Sequence, residues 1–598
     1  MTPQGETGLP AHRDDEPWKV RIFAVLLAFT AVAAAFKIRA YDVFWHLTAG
    51  HWILQHRALP DPDPFRFTAQ GAPWVDHEWL FQVGLAMVET LGGLTGLWVL
   101  RIGLALGLAL ILWSAARRAG APVVGTGMAL FVTLLGARPR FFLRPEFPTL
   151  VALALLLWLL AEFRRGRQRW PVALVLLLTF LWANSHPGSL MAPVLCGAFL
   201  VGTHLPGGWG TPRRGPSPIP WRWVFGLPIA MLLAMLLNPA GWRLFAVPVE
   251  ISGALENVPG VNPEWLPVWK APQPFLFIGL ALLTLLLVQT YRCTHRIDPA
   301  TGLVTLALMA LTSTSMRHQA PLFVGAFFLA SESLAELATF DWRAPIRSTR
   351  ARLLPVLACL LGMAWCIWPP TRGPLAPRQG RYNVGWGLEP GRFPEQSVDF
   401  IEQVPELGNL YNNVAFGGYL LWRLFPPRQI FNDGRNELNP DFLRELAAAR
   451  KDSQAWNALL DRYEIDGALV RYDRRRRPVL EPPLIAGGEP RLVHLTSNAV
   501  LFTPDRFALV HWDDVAMVFL SRRPGRAQLL DRLEYRYVNP EDPEATLKAA
   551  GTDPERLKLT LLEVERRLRD DPDCRLAASL QLELTELAER WDTDPSPP

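Results

Sequence analysis

The sequence predicts a polytopic α-helical membrane bundle of about eleven spans, followed by a small soluble α/β domain and a short helical tail. Three observations predict this. Apolar runs of bilayer length recur between residues 19 and 369, and arginine concentrates in alternate connections between them. Beyond residue 395 the runs give way to short alternating helix and strand patterns that end in amphipathic helices.

Half of the 598 residues are apolar and only 19% are charged, with 24 Trp and 54 Pro, too hydrophobic a balance for an ordinary soluble chain. The net charge of +5 does not mark a nucleic-acid partner, because the basic residues lie in short stretches between apolar runs and form no stripe or binding module. Cys196, Cys293, Cys359, Cys366 and Cys574 are scattered and odd in number, so neither a disulfide framework nor a zinc site is indicated.

Residues 1–18 carry Asp14, Asp15 and Glu16 ahead of the first apolar run, which is atypical of a secretory signal. Ala33-Ala34-Ala35 has the form of a cleavage site, but the acidic lead favours an uncleaved anchor with a cytoplasmic N-terminus. Spans are expected at 19–37, 94–116, 121–137, 147–163, 170–184, 188–204, 222–238, 273–291, 301–315, 319–338 and 352–369. The connections on one side then hold Arg117-Arg118, Arg164-Arg165 with Arg167 and Arg169, Arg213-Arg214, Arg292 with Arg296, and Arg343 with Arg347 and Arg350. All fall on the cytoplasmic face, as positive-inside orientation requires. The opposite face receives the loop 38–93, the segments 138–146, 185–187, 239–272 and 316–318, and everything after about 370. That last part is a linker at 370–394, a periplasmic α/β domain at 395–538 and a helical tail at 539–598.

The first outer loop opens Tyr41-Asp42-Val43-Phe44-Trp45-His46-Leu47, continues through Asp61-Pro62-Asp63-Pro64-Phe65, and closes on Trp74-Val75-Asp76-His77-Glu78-Trp79-Leu80. A helix starting at Asp42 puts Asp42 and His46 one turn apart on one face, which suits a metal pair or a general base held by its neighbour. Equally, Trp45 and Trp52 would anchor an interfacial helix that Asp42 caps. Asp76 and Glu78 suit the cap and first turn of a second amphipathic helix. The sharper reading makes Asp76, His77 and Glu78 divalent-cation ligands or partners of Asp42. A metal held by Asp42, Asp76 and Glu78 would be Mg²⁺ or Mn²⁺.

Arg138-Pro139-Arg140-Phe141-Phe142-Leu143-Arg144-Pro145-Glu146 places three arginines on the outer side, against the charge bias elsewhere. The guanidinium fork matches phosphate, so Arg138 and Arg144 are candidates for binding a phosphate-bearing ligand; pairing with Glu146 and the loop acids is the other use. Arg317 and His318 stand at the mouth of a span, where they either snorkel or add a further phosphate contact. Asn184 and His186, in Trp182-Ala183-Asn184-Ser185-His186-Pro187-Gly188, occupy a tight turn and can hydrogen-bond a ligand, although Asn, Pro and Gly are also ordinary turn residues.

At these residues the chain resembles the GT-C superfamily of polytopic glycosyltransferases, in particular bacterial members that use polyprenyl-phosphate sugars. The resemblance rests on the acid of the first outer loop, in Asp42-Val43-Phe44-Trp45-His46, on Asp76-His77-Glu78-Trp79 and on Arg317-His318, and spans about residues 15–370. It implies a GT-C-like bundle in which Asp42 is the catalytic base, with His46, Asp76, His77 and Glu78 as further catalytic candidates. Arg138, Arg144, Arg317 and His318 would hold the phosphate of a lipid-linked sugar donor. The acceptor would be a glycan, lipid or protein.

In the C-terminal domain, helices are expected at 398–404, 417–423, 440–449 and 453–463, and strands at 429–431, 468–470, 508–511 and 515–520. Helices at 542–550, 554–569 and 573–592 form the tail. Phe431-Asn432-Asp433-Gly434-Arg435-Asn436 follows a strand, where ligands often sit in open sheets, so Asp433 and Arg435 are added as candidates; Asp433-Gly434 is also a plain turn signal. Gly-Gly-Tyr and Asp-Gly-Arg blocks similar to Gly417-Gly418-Tyr419 and Asp433-Gly434-Arg435 follow the membrane region in many GT-C-like chains. The other readings are a transporter or flippase for lipid-linked glycans, and an inactive scaffold in envelope assembly. A transporter needs ionisable groups and broken helices near the midplane, whereas here the polar motifs crowd one face.

Overall fold

The computed structural model describes residues 16–166, 170–206, 219–250, 263–270, 273–339, 349–367, 382–435, 440–481 and 491–593. Arg167, Arg169, Arg213, Arg214, Arg343, Arg347 and Asn436 lie outside the described residues, as does part of the 370–394 linker. The chain divides into two compact units. The first comprises Met1–Ala40, Asp76–Val249 and Gly260–Gly387, and the second Tyr41–Val75, Glu250–Pro259 and Leu388–Pro598.

Along the chain come α1 (Glu16–Ala34), α2 (Asp42–His56, in the second unit), α3 (Trp79–Ala119), α4 (Val123–Ala137), α5 (Glu146–Arg165) and α6 (Trp170–Ala183). They are followed by α7 (Met191–Gly202), α8 (Arg222–Met235), α9 (Pro274–Thr294), α10 (Pro299–Thr314), α11 (Gln319–Ala338) and α12 (Thr349–Ile367). A helix meets each expected span. One boundary differs: α3 begins at Trp79, well before residue 94, and is broken at Gly93, where φ 56° and ψ −151° are open to glycine. The stretch 79–92 is apolar enough on one face to continue the helix, with Phe81 and Leu85 buried.

Among the described residues, five helices are long and apolar enough to cross a membrane. On α9, Phe275, Phe277, Ile278, Leu282 and Leu285 point outward exposed, a surface that suits lipid and not water. This unit is the multi-pass membrane part of the chain. Small residues let its helices approach closely: at Gly202 of α7 an added Cβ would strike the backbone of Ala300 on α10.

The two ends of the bundle carry different charge patterns. At one end Arg118 binds Glu162 at 2.8 Å, and Arg164 binds Asp298 at 2.8 Å and Glu332 at 2.7 Å, tying α3, α5, α10 and α11 together. At the other, Glu146 at the start of α5 accepts from Arg317, just ahead of α11, at 2.9 Å. A strap after α12 closes on the end of α1, with Phe36 and Val384 bridged antiparallel and Lys37 donating to the Asn383 carbonyl at 2.8 Å.

The second unit is an α/β domain. Its helices are α2, α13 (Glu395–Gln403), α14 (Val414–Leu424), α15 (Pro440–Ala449), α16 (Ser453–Arg462), α17 (Ser497–Leu501), α18 (Ala527–Leu533), α19 (Pro543–Ala550), α20 (Pro554–Asp570) and α21 (Arg575–Thr593). β1 (Asn409–Asn412), β2 (Ile465–Arg471), β6 (Ala516–Ser521) and β5 (Phe507–Trp512) form one sheet in the order β1-β2-β6-β5. β1 and β2 are parallel and the other pairs antiparallel, while β3 (Arg476–Glu481) and β4 (Arg491–Thr496) make a separate antiparallel pair. The expected strand at 429–431 is a single bridge between Ile430 and Arg66 of the 57–75 loop. Leu557, Val564, Ala577, Leu580 and Leu584 of the last helices join Trp456 of α16 and the sheet's Ala468, Val470 and Trp512 in one core.

Candidate functional site

In the second unit, the first outer loop is built into the α/β domain. Helix α2 packs on α14, and Phe44 is fully buried among Phe393, Tyr419 and Trp422, with ring centroids 5.1 Å away in each case. Burial of one such ring stabilises by about 1.5–3 kcal/mol, and three aromatic partners add to it. This anchoring fixes the first turn of α2, where Asp42 is the acidic residue and Tyr41 stands at the N-cap. His46 lies one turn on, buried, its ring 3.6 Å from that of Trp45. Asp42 Oδ1 is 2.8 Å from the position a Cβ would take on Gly434, so the Asp-Gly-Arg turn runs directly against the candidate base.

Beneath that turn lies an ionic knot that the sequence reading missed. Arg435 donates to Asp433 at 2.5 Å and to Asp63 at 3.1 Å, and Arg66 binds Asp63 at 2.8 Å. The side chains of Arg435, Asp433 and Asp63 are all sealed from solvent, and the guanidinium lies 4.5 Å from the Trp74 ring, 5.1 Å from Phe65 and 5.9 Å from Trp45. Burial alone would raise the Asp433 carboxyl, but Arg435 and Arg66 bring it below its ordinary value. Asp433 and Arg435 thus pair with each other and Asp63 on either side of Gly434, which faces Asp42.

In the first unit, Asp76 is buried and its Oδ1 accepts from the Glu78 N–H at 3.3 Å and from Gln82 Nε2 at 2.8 Å, shaping the entry to α3. His77 Nε2 lies 3.8 Å from Glu78 Oε1. Asn184 is buried, accepts from Trp79 Nε1 at 2.8 Å and donates to the Phe180 carbonyl at 2.8 Å. The α6–α7 turn is thereby tied to the start of α3. His186 Nδ1 accepts from the Gly188 N–H at 3.1 Å and lies 2.9 Å from Thr149 Oγ1. Burial drives the His186 pKa down to about 3 in spite of the Glu146 carboxylate; Arg317, His77 and His318 act in the same direction as burial.

Those influences mark a cluster. The turns preceding α5 and α11 and the 3₁₀ turn Pro263–Trp265 bring Arg140, Arg144 and Arg317 around Glu146 and Glu264. Arg140 reaches Glu264 at 2.8 Å, Arg144 stands 3.8 Å from the same oxygen, and Arg317 stacks 4.1 Å from the Trp265 ring while bonding Glu146. The Ser315 hydroxyl donates to the Glu264 carbonyl at 2.9 Å, locking this turn onto the approach to α11. Burial would raise the Glu264 carboxyl, yet Arg140 and Arg144 hold it below the ordinary value. His318 Nδ1 faces the Leu311 carbonyl at 3.1 Å. The site thus has three guanidiniums and several imidazoles against two carboxylates, with Arg317 and Arg144 about a fifth exposed, an arrangement able to receive an anion.

Arg138 stands apart from that cluster's ion pairs. It is buried, donates Nε–H to the Ala33 carbonyl at 3.1 Å, and lies against Tyr382 and Trp365. Sequence reasoning also missed Arg101, a lone charge inside an apolar run that was itself a signal of a special site. Among the described residues no group of three or more His, Cys, Asp or Glu side chains is arranged to hold a metal ion, and Asp76 spends one oxygen on its own loop.

Neither a family model nor a curated protein matches the sequence. Solved structures do match. The Archaeoglobus fulgidus oligosaccharyltransferase AglB, in complex with an inhibitory peptide and a dolichol-phosphate, aligns over 97% of this chain and 86% of its own at 11% identity, with a TM-score of 0.51. Its apo form aligns over 90% and 83% at 11% identity with a TM-score of 0.50. ArnT from Cupriavidus metallidurans bound to undecaprenyl phosphate aligns over 84% of this chain and 98% of its own at 14% identity, with a TM-score of 0.47. At these identities the likeness to the oligosaccharyltransferase is one of fold.

Proposed function

We propose that this chain, whose multi-pass helical fold is GT-C-like, is a glycosyltransferase that moves a sugar from a polyprenyl-phosphate donor to a glycan, lipid or protein acceptor. The reaction is placed at the outer face of a bacterial inner membrane, with the α/β domain on the periplasmic side. The observation that carries this reading is the convergence of Arg140, Arg144, Arg317 and His318 at one end of the membrane unit. Arginine forks at a membrane-facing helix end are suited to the phosphate of a lipid carrier.

Asp42 is assigned as the base. Its carboxylate takes the proton of the acceptor hydroxyl, the hydroxyl oxygen bonds the anomeric carbon, and the bond from that carbon to the lipid phosphate oxygen breaks. The electron pair leaves on the phosphate, whose charge Arg317 and Arg144 neutralise, with His318 as a further donor. Glu146 and Glu264 hold those guanidiniums in place before substrate arrives. His46, Asp76, His77 and Glu78 are assigned supporting roles: His46 lies one turn along α2 from Asp42 with its ring against Trp45, and Asp76, His77 and Glu78 shape the entry to α3.

A positioned base is worth about 10²–10⁴-fold and a preorganised charge donor about 10²–10³-fold. Purified full-length protein incubated with a panel of polyprenyl-phosphate sugars should release lipid phosphate. Asp42→Asn should lower turnover by about 10²-fold or more. Arg317→Gln should lower kcat/KM by about 10²-fold, with part of the loss in KM, since the guanidinium meets phosphate in both ground and transition states. Full activity in Asp42→Ala would sink the assignment of the base.

A further inference from the structure

Arg317, Arg140, Arg144 and Arg164 in the first unit each reach a carboxylate within 4 Å. Arg101 and Arg138 reach none among the described residues, yet both are about 1% exposed. They meet at the end of α1. Arg101 Nε donates to the Ala34 carbonyl at 2.8 Å and Arg138 Nε to the adjacent Ala33 carbonyl at 3.1 Å. Both guanidinium carbons lie within 6 Å of the same Phe36 ring, at 4.0 and 5.9 Å. Nη2 of Arg101 and both Nη atoms of Arg138 are buried without a hydrogen-bond partner among the described residues.

The local partners are too weak for two buried cations. The carbonyl end of α1 contributes about 0.3–2 kcal/mol to a nearby positive charge. Each aromatic face adds about 0.5–2 kcal/mol. Against this stand a desolvation cost of several kcal/mol per buried ion, and about 1–3 kcal/mol for each buried donor left unbonded. A guanidinium does not escape by losing its proton. The missing element is an anion with several acceptor oxygens, which the two forks can chelate together. Tyr382, 4.9 Å from Arg138 and 4.7 Å below Arg39, lines the same niche and brings a third guanidinium beside it.

We propose that Arg101 and Arg138 form a site for a phosphate group at the end of α1, separate from the Arg140, Arg144 and Arg317 cluster. The site does not depend on the chain being a transferase. The phosphate belongs to a lipid carrier, to a phospholipid headgroup, or to inorganic phosphate.

The full chain, purified without phosphate, is titrated with inorganic phosphate, with farnesyl phosphate, and in phosphatidylcholine nanodiscs with added phosphatidylglycerol, reading thermal stabilisation. At least one probe should stabilise it saturably. Which probe does so identifies the source. Arg101→Lys/Arg138→Lys keeps both charges but loses the forks, so affinity should fall at least about tenfold, and should fall by a similar factor when the pair is changed in an Arg317→Gln background, where the other arginine cluster is weakened. Where the double variant does not fold, the Arg317→Gln titration decides: saturable phosphate binding that survives there supports the niche. Absence of saturable binding by any probe, or wild-type affinity in the double lysine variant, overturns it.

Discussion

Replacing Arg435 by Gln removes the cation that hydrogen-bonds both Asp433 and Asp63. Arg66 keeps its bond to Asp63, so the loss falls mainly on Asp433, whose side chain is sealed from solvent and retains only backbone donors such as the Arg435 N–H at 3.0 Å. Breaking one partner from a buried ion pair costs about 3–5 kcal/mol. For a unit of this size that corresponds to a fall in Tm of about 6–20 °C. The pH dependence gives a sharper test. In the wild type the Asp433 carboxyl is held below its ordinary value, so its contribution is present above the unfolded-state pKa of about 3.9 and is lost as pH falls through the lower folded value. Without Arg435 burial is opposed by the Arg66 charge and no longer by an ion pair, so the folded pKa rises. The Arg435→Gln deficit should therefore be large at neutral pH and shrink as the solution is acidified toward pH 5, and Asp433→Asn in the same background should recover part of it. Thermal unfolding of the full chain in detergent across this pH range checks each point. A Tm within about 2 °C of wild type, or a deficit that does not change with pH, would refute the reasoning.

Gly434→Ala places a methyl 2.8 Å from Asp42 Oδ1, so the carboxylate must move; transfer should fall by about tenfold or more while Tm drops by only a few degrees, because the obstructing atom ends a short side chain. His186 has its folded pKa depressed to about 3, below an unfolded value of about 6.5. The unfolded chain therefore binds the extra proton first, and this residue makes stability decline as pH falls from about 6.5 toward 3. His186→Asn should flatten that part of the stability curve, measured by thermal unfolding at fixed ionic strength; an unchanged acid slope would count against it. The activity losses expected for Asp42→Asn and Arg317→Gln should occur with Tm close to wild type in the first case, since Asp42 is half-buried and Asn keeps its shape.

The membrane bundle was legible because apolar length and arginine placement are local properties. Each expected span coincides with a helix, and Arg118, Arg164 and Arg165 gather at one end while Arg317 and Glu146 meet at the other. The pairing of Arg317 with Glu146 was not assignable, since 171 positions separate them. The same holds for Asp63 and Arg435, 372 apart, so Asp433-Gly434-Arg435 reads locally as a turn while its role is set by a distant acid. Strand β1 was missed because its four residues, Asn409–Asn412, carry no alternation of their own and are defined by pairing with β2. Arg138 and Arg144 looked equivalent in one short segment, yet α4 ends between the two environments and sends Arg138 to the end of α1 and Arg144 toward Glu264.

The most direct measurement uses the wild-type chain reconstituted in vesicles with a radiolabelled sugar on polyprenyl phosphate and a mixed acceptor fraction, following the label and the lipid together. The account predicts that the sugar leaves the lipid, with free polyprenyl phosphate appearing in equal amount and the label passing to acceptor, and that Asp42→Asn abolishes both. Recovery of intact lipid-linked sugar, whether left in place or moved to the opposite leaflet, would contradict it.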